Sequence, residues 1–214
     1  MVDALLAAAA PLLAPAFELW GSPVTWIEIV AFALAVWMVV CNMRVNPLAW
    51  PLAIVSSMGY ALLFAQYRLY GEASLQFVFI AVALWGWWQW LRGRGQDGAP
   101  LVVHRLSVRG RWAALAATAL LWPLIAGALM QFTDSDVPWF DALPTAGSLV
   151  AQVLLGRKLV ENWPAWVVVN IVSVGLFAAK GLWLTVILYA LFTVMALAGW
   201  RVWARLSVAR AVSA

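Results

Sequence analysis

Residues 162–175, NWPAWVVVNIVSVG, share a spaced pattern with residues 46–59, NPLAWPLAIVSSMG. In both stretches an asparagine precedes a tryptophan by four positions, and a serine and a glycine follow, at a constant offset of 116 residues. A second pattern, Gly-Trp-x2-Trp, occurs at residues 86–90 and 199–203 with an offset of 113. Two shared patterns in the same order indicate an internal duplication. The difference between the offsets predicts a three-residue slip in the loop between the second and third helix of each unit.

Both stretches lie in a chain whose composition is typical of a membrane protein. The 214 residues are 66% hydrophobic and 10% charged, whereas soluble domains carry roughly 25% charged residues. Sixteen tryptophans agree with this interpretation, because indoles collect at membrane–water boundaries. We therefore expect the outer surface to face lipid.

Seven apolar runs approach the length of about 20 residues that a helix needs to cross a bilayer. The predicted spans are 26–43, 48–67, 73–91, 112–130, 139–156, 163–180 and 182–203. The duplication groups them as three helices, one linker helix and three helices, so that both triplets cross in the same direction. We predict an all-α integral membrane protein with a 3+1+3 parallel repeat and a substrate site near the midplane between the halves. A seven-helix receptor would have no reason to repeat itself in this way.

The same pattern predicts the domain organisation. Residues 1–25 form an N-terminal apolar segment, 26–91 the first three-helix repeat, 92–130 a basic loop with the linker helix, 139–203 the second repeat, and 204–214 a cytoplasmic tail. The alanine-rich first fifteen residues are expected to form a short amphiphilic helix or to be disordered.

The distribution of basic residues predicts the orientation. The loops after the first, third and fifth spans, together with the C-terminal tail, carry eleven arginines and lysines, and the opposite face carries only Arg68 and Lys180. Because basic residues concentrate on the cytoplasmic side, we expect the N-terminus outside and the C-terminus in the cytoplasm. The net charge of +4 is then a topology signal, and no nucleic-acid partner is expected.

The sequence lacks the residues needed for a disulfide, a zinc cluster, phosphate binding by a glycine-rich loop, or nucleophilic catalysis. The single cysteine excludes an internal disulfide and any zinc cluster of conventional spacing. The sequence has no glycine-rich phosphate loop, and its spans hold no nucleophile–base pair. We therefore expect no metal, no cofactor and no enzymatic activity. Glu28, in the outer part of the first span, is the one carboxylate placed to carry a proton, although a surface position is the simpler interpretation.

Polar side chains within the spans are candidates for a substrate path, since polar groups in hydrocarbon are costly. Serine and threonine often serve helix packing and tryptophan often anchors a span end, but amides bring several hydrogen-bonding atoms into a region without water. Trp166 and Asn170 lie one turn apart. Trp166 would stack on an aromatic solute, and Asn170 would form hydrogen bonds with the hydroxyls of that solute. The other candidates are Trp50, Gln76, Thr145, Ser148, Gln152 and Tyr189.

These motifs resemble the Pnu vitamin transporters over nearly the whole chain, from about Trp26 to Trp203. The most specific part is ENW at residues 161–163, followed by Trp166-x3-Asn170. The first half agrees through NPLAWP at residues 46–51 and GWWQW at residues 86–90.

The resemblance implies a fold like that of the SWEET sugar transporters and facilitated diffusion without ion coupling or ATP. It implies trapping of the imported vitamin by a cytosolic kinase, a location in the bacterial inner membrane, and a homotrimer. It assigns Trp166 and Asn170 as the substrate-binding pair. Gln76, Thr145, Ser148, Gln152 and Tyr189 match positions expected to line the path.

The substrate stays open among nicotinamide riboside, thiamine and riboflavin, because all three are flat aromatic molecules with hydroxyls. Nicotinamide riboside is preferred as the substrate of the commonest branch. The alternative from a different functional class is a membrane sensor that binds such a ligand without moving it.

Overall fold

A computed structural model of the chain describes residues 10–66, 70–95, 98–133, 137–179, 181 and 183–212. Its long helices are α1 Trp26–Met43, α2 Ala49–Gln66, α3 Tyr70–Arg92, α4 Val108–Phe132, α5 Pro138–Gly156, α6 Asn162–Ala179 and α7 Trp183–Val212. Each predicted span lies on one of these helices. The last helix continues to Val212, so the predicted tail is largely helical. Residues 1–9, Arg68 and Lys180 lie outside the described residues.

A β-hairpin that the sequence analysis did not predict precedes α1. Strands β1 Pro15–Leu19 and β2 Ser22–Thr25 pair in antiparallel fashion. Trp20 and Gly21 connect them with φ of 48° and 82°, the left-handed pair that a two-residue hairpin loop requires. Because tryptophan is an unusual residue in that conformation, the turn lacks the composition by which such hairpins are recognised.

The hairpin leads directly into the N-terminal cap of α1. Glu28 Oε2 accepts hydrogen bonds from Thr25 N at 2.7 Å and from Thr25 Oγ1 at 2.8 Å, and Thr25 Oγ1 accepts from Glu28 N at 3.4 Å. This capping box satisfies backbone N–H groups that would otherwise lack partners. The carboxylate of Glu28 therefore has a structural role at the start of the helix.

Four of the described helices, α1, α4, α6 and α7, are long and apolar enough to cross a membrane. Helix α4 illustrates the lipid-facing character of the surface, because Ala126 is its one buried residue and Leu120 and Leu124 are about two-thirds exposed. Such exposure of large apolar side chains along a whole helix suits a hydrocarbon environment rather than water.

The turns that join α1 to α2 and α5 to α6 have the same backbone geometry. Arg44 and Arg157 end the first helix of each pair with φ/ψ of −85°/5° and −84°/4°. The next residues, Val45 and Lys158, both lie in the left-handed region with φ of 54° and 55°. Each residue pair is separated by 113 positions, so the two turns have the same backbone conformation at that spacing.

This correspondence corrects the predicted register of the repeat. Helices α2 and α6 begin and end 113 residues apart, as do the starts of α3 and α7, and no slip is needed. Trp50 therefore corresponds to Trp163 and not to Trp166. The two rings also pack alike, since a Cβ added to Gly86 would overlap the ring of Trp50 and one added to Gly199 would overlap that of Trp163.

The two helix triplets, α1–α3 and α5–α7, are bonded to each other by reciprocal indole hydrogen bonds. Trp203 Nε1 of α7 donates to Asn42 O at 3.1 Å and to Met43 O at 3.2 Å, at the end of α1. Trp90 Nε1 of α3 donates to Leu155 O at 3.0 Å, at the end of α5. Trp90 and Trp203 are again 113 residues apart. The third helix of each triplet thus holds the first helix of the other.

The loop between α3 and α4 packs under the α5–α6 turn. His104 N donates to Lys158 O at 3.1 Å, and Val160 N donates to His104 O at 2.9 Å. Glu161 pairs with Arg111 at 3.0 Å in the first turn of α4. These bonds position the start of α6, which carries the residues described next.

Candidate functional site

A cavity of about 220 Å³ lies between the two triplets, and all six of their helices contribute to its lining. None of the described lining residues is charged. No cluster of three or more histidine, cysteine or acidic residues able to hold a metal occurs in the described part of the chain. These residues can bind a solute through aromatic stacking and neutral hydrogen bonds.

Helix α6 places Trp166 and Asn170 in the cavity lining, one helical turn apart. Pro164 lies in the first turn, where proline is tolerated because the N–H that it lacks has no intrahelical partner. Asn170 is 3% exposed, and its Oδ1 has no hydrogen-bond partner. A buried acceptor without a partner is costly, so this oxygen is available to a bound donor beside the indole.

Helices α5 and α7 supply the other polar groups of the predicted set. Ser148 and Gln152 lie one turn apart on α5 and both line the cavity. Tyr189 of α7 lines it as well, and its ring lies 5.2 Å from that of Phe177 and 6.0 Å from that of Phe192. The structure therefore brings five of the predicted site residues around one cavity.

The remaining three predicted residues, Trp50, Gln76 and Thr145, lie outside the described lining of this cavity. Trp50 is 1% exposed and packs edge-on against Trp90 in the aromatic core, with ring centroids 5.5 Å apart. The Thr145 hydroxyl donates to Asp141 O at 2.9 Å within its own helix. Gln76 is half-buried on α3.

Sequence reasoning missed three lining residues that are at least nine-tenths buried and carry an unpartnered polar atom. Asn42, Asn162 and Trp163 all line the cavity, and each has a side-chain polar atom without a partner. Asn42 lies at the end of a span beside Arg44, where the sequence pattern predicts that an amide is exposed to water. Asn162 and Trp163 were noticed only as parts of a motif.

Five pairs of corresponding positions in the two triplets line the cavity, and four of them are unlike; the fifth, Phe79 with Phe192, is identical. In each of the four unlike pairs a polar or aromatic residue from one triplet matches a small or apolar residue, or a shorter polar one, from the other. The pocket is therefore asymmetric although its scaffold repeats, which suits a solute with two different ends. The unlike pairs are Val39 with Gln152, Asn42 with Leu155, Ala53 with Trp166, and Ser57 with Asn170.

Comparison with known proteins finds vitamin transporters that are similar to this chain. The chain is 30% identical over 168 residues to the nicotinamide riboside transporter PnuC of Escherichia coli K12, which covers 67% of this chain and 70% of that protein. It is 31% identical over 191 residues to the riboflavin/roseoflavin transporter RibM of Streptomyces davaonensis, covering 88% of this chain and 89% of that protein.

The crystal structure of the vitamin B3 transporter PnuC has a similar fold, with a TM-score of 0.70 at 24% identity over 85% of this chain and 81% of that one. The family model of the nicotinamide mononucleotide transporter matches residues 25–205, which cover both triplets apart from the end of α7. With its apolar helices, the protein is an all-α, multi-pass protein of the bacterial inner membrane that belongs to the nicotinamide mononucleotide transporter family.

Proposed function

We propose that this protein imports nicotinamide riboside by facilitated diffusion. The observation that carries the proposal is the pair of Trp166 and Asn170 in a cavity whose described lining is uncharged and where Asn170 Oδ1 lacks a partner. The pyridinium ring of the riboside is flat and cationic, so an indole face attracts it by stacking and by cation–π attraction. Its ribose hydroxyls can donate to an amide oxygen.

The size of the cavity supports the same substrate. About 220 Å³ is below the roughly 300–1,000 Å³ typical of sites for drug-sized ligands. A single ring with a ribose needs less room than the three fused rings and ribityl chain of riboflavin. Riboflavin is nevertheless the second candidate, because the RibM relative matches 88% of this chain. Thiamine, also a cationic aromatic molecule, is the third.

The mechanism that we propose is alternating access in a seven-span, 3+1+3 arrangement, with the N-terminus outside. The cavity lies between the two triplets, so movement of one triplet against the other would open it to either side. The reciprocal bonds of Trp90 and Trp203 join the triplets at the ends of α5 and α1. The transporter itself needs no energy source if a cytosolic kinase uses ATP to phosphorylate the substrate, since the charged product cannot return. We further propose a homotrimer, which sedimentation in detergent would test.

Uptake into proteoliposomes tests the transport proposal. The vesicles contain ATP and a matching vitamin kinase, and radiolabelled nicotinamide riboside, thiamine and riboflavin are compared with and without a proton gradient. We expect accumulation of nicotinamide riboside only when its kinase is present. Accumulation driven by the proton gradient alone would refute the passive mechanism, and binding without uptake would favour a sensor.

Two substitutions test the site itself. Trp166→Ala and Asn170→Ala should each weaken binding by at least ~1 kcal/mol, about fivefold, because a stack or a hydrogen bond is lost. Trp88→Ala is the matched control, because Trp88 is exposed on α3 and outside the described lining. Equal affinities of all three variants and the unchanged protein would place the pocket elsewhere.

A further inference from the structure

Besides Asn170 Oδ1, three buried polar atoms without partners belong to residues that line the cavity. They are Asn42 Oδ1, Asn162 Oδ1 and Trp163 Nε1. Their residues are 6%, 0% and 2% exposed. Native proteins satisfy nearly all such groups, so three of them around one cavity point to a ligand that supplies the missing partners.

The surrounding structure holds two of these groups in a defined orientation. Asn162 Nδ2 donates to Leu159 O at 2.6 Å, so its Oδ1 is the end of the amide that is left over. The ring of Trp163 packs edge-on against Trp203 with centroids 5.6 Å apart and lies on Gly199, which fixes the direction of its N–H. The backbone at Asn42 is also fixed, because its carbonyl accepts the indole of Trp203 at 3.1 Å.

The repeat shows that the folded turns do not require these amides. The residue that corresponds to Asn162 in the first triplet is Ala49, and the residue that corresponds to Asn42 in the second is Leu155. The equivalent backbone hydrogen bonds form in both turns, with Ala49 N donating to Asn46 O and Asn162 N to Leu159 O, each at 3.1 Å. The two amides are therefore additions to a scaffold that forms without them.

Two acceptors and one donor are the complement of a primary carboxamide, which offers two N–H donors and one carbonyl acceptor. We propose that Asn42, Asn162 and Trp163 form a carboxamide subsite that determines substrate specificity. This inference rests on the proposed function and names the end of the substrate that is recognised. A carboxylate at that end would offer only acceptors to two acceptor oxygens. The imide edge of a flavin offers one donor and two acceptors, which is the reverse pattern.

The test measures the affinity of the purified full chain for nicotinamide riboside and for its carboxylate analogue, nicotinate riboside, by titration calorimetry in detergent. The unchanged protein should prefer the amide. Asn42→Leu and Asn162→Ala install the residues already present at the corresponding positions, so we expect the fold to tolerate them. Each should weaken binding of the amide about tenfold and bring the preference for amide over carboxylate toward unity.

Gln152→Val is the matched control, since Gln152 lines the same cavity, its counterpart is Val39, and it is outside the proposed subsite. Any effect of this variant should change both affinities by the same factor and leave their ratio intact. Equal affinity of the unchanged protein for the two ribosides would overturn the subsite while leaving the transport proposal standing. Binding of riboflavin or thiamine without nicotinamide riboside would overturn both the subsite and the proposed substrate.

Discussion

The contribution of the hydrogen bonds between the triplets to stability can be measured by comparing substitutions of Trp203 and Trp50, two buried tryptophans of the aromatic core. Trp203→Phe removes an N–H that serves two carbonyl oxygens at the end of α1, at 3.1 and 3.2 Å. Trp50→Phe truncates a ring that is equally buried, but the Nε1 of Trp50 has no partner. Both changes lose ring packing, and Trp50→Phe also removes an unpaired donor, so their difference measures the bonds together with that relief. A lost bond and an unsatisfied carbonyl together predict an excess destabilisation of about 1–3 kcal/mol for Trp203→Phe.

Thermal unfolding in detergent provides the measurement. The single cysteine, Cys41, is buried, so its reaction with a thiol-specific fluorescent dye reports unfolding, and circular dichroism checks the loss of helix. At roughly 2–4 °C per kcal/mol for a chain of this size, Trp203→Phe should unfold about 2–12 °C below Trp50→Phe. Trp90→Phe, which loses one bond to Leu155 O, should fall between them. Equal melting temperatures for all three variants would refute the role of the indole bonds.

Two further predictions concern the packing of α6 and the cap of α1. Gly199→Ala should lower the free energy of unfolding by about 1–3 kcal/mol, because a Cβ there overlaps the ring of Trp163. The control is Gly175→Ala, on open helix surface, which should be neutral or stabilising. The same dye assay compares the two variants. Glu28→Gln should cost about 0.5–2 kcal/mol through the weakened capping box yet leave uptake in proteoliposomes independent of a proton gradient. Abolished uptake with an intact fold would instead make Glu28 a transport residue.

The helices were predictable because the information for them is local. An apolar run of bilayer length is visible in any window of the sequence, and the asymmetry of basic residues lies in the adjoining loops. The register of the repeat could not be determined from a short window of the sequence. What identifies Trp163 as the counterpart of Trp50 is the glycine under each ring, which lies 36 residues further along the chain in both halves. The dipeptide Trp-Pro at residues 50–51 and 163–164 was the signal that could have revealed it.

The site was predictable in part for a related reason. Trp166 and Asn170 share a helical face, which spacing alone reveals, and both line the cavity. Trp50 carries the same side chain as Trp166 in a similar local sequence, but its surroundings are the aromatic core. Asn42 lies where a chain would normally meet water, but it is buried in the fold, where Trp203 of α7 donates to its carbonyl. Such burial depends on contacts between helices that are far apart in the sequence, and the local spacing of residues does not reveal those contacts.

The unlike pairs around the cavity have a consequence for how a duplicated transporter can recognise its cargo. Two identical half-length chains related by a two-fold axis would have to present every donor and acceptor twice, and would suit a solute with matching ends. A single chain that carries both halves is released from that constraint. Here an indole from one half corresponds to a methyl from the other, at Trp166 and Ala53. The two ends of a solute can thus be distinguished while the backbone of the two halves stays alike.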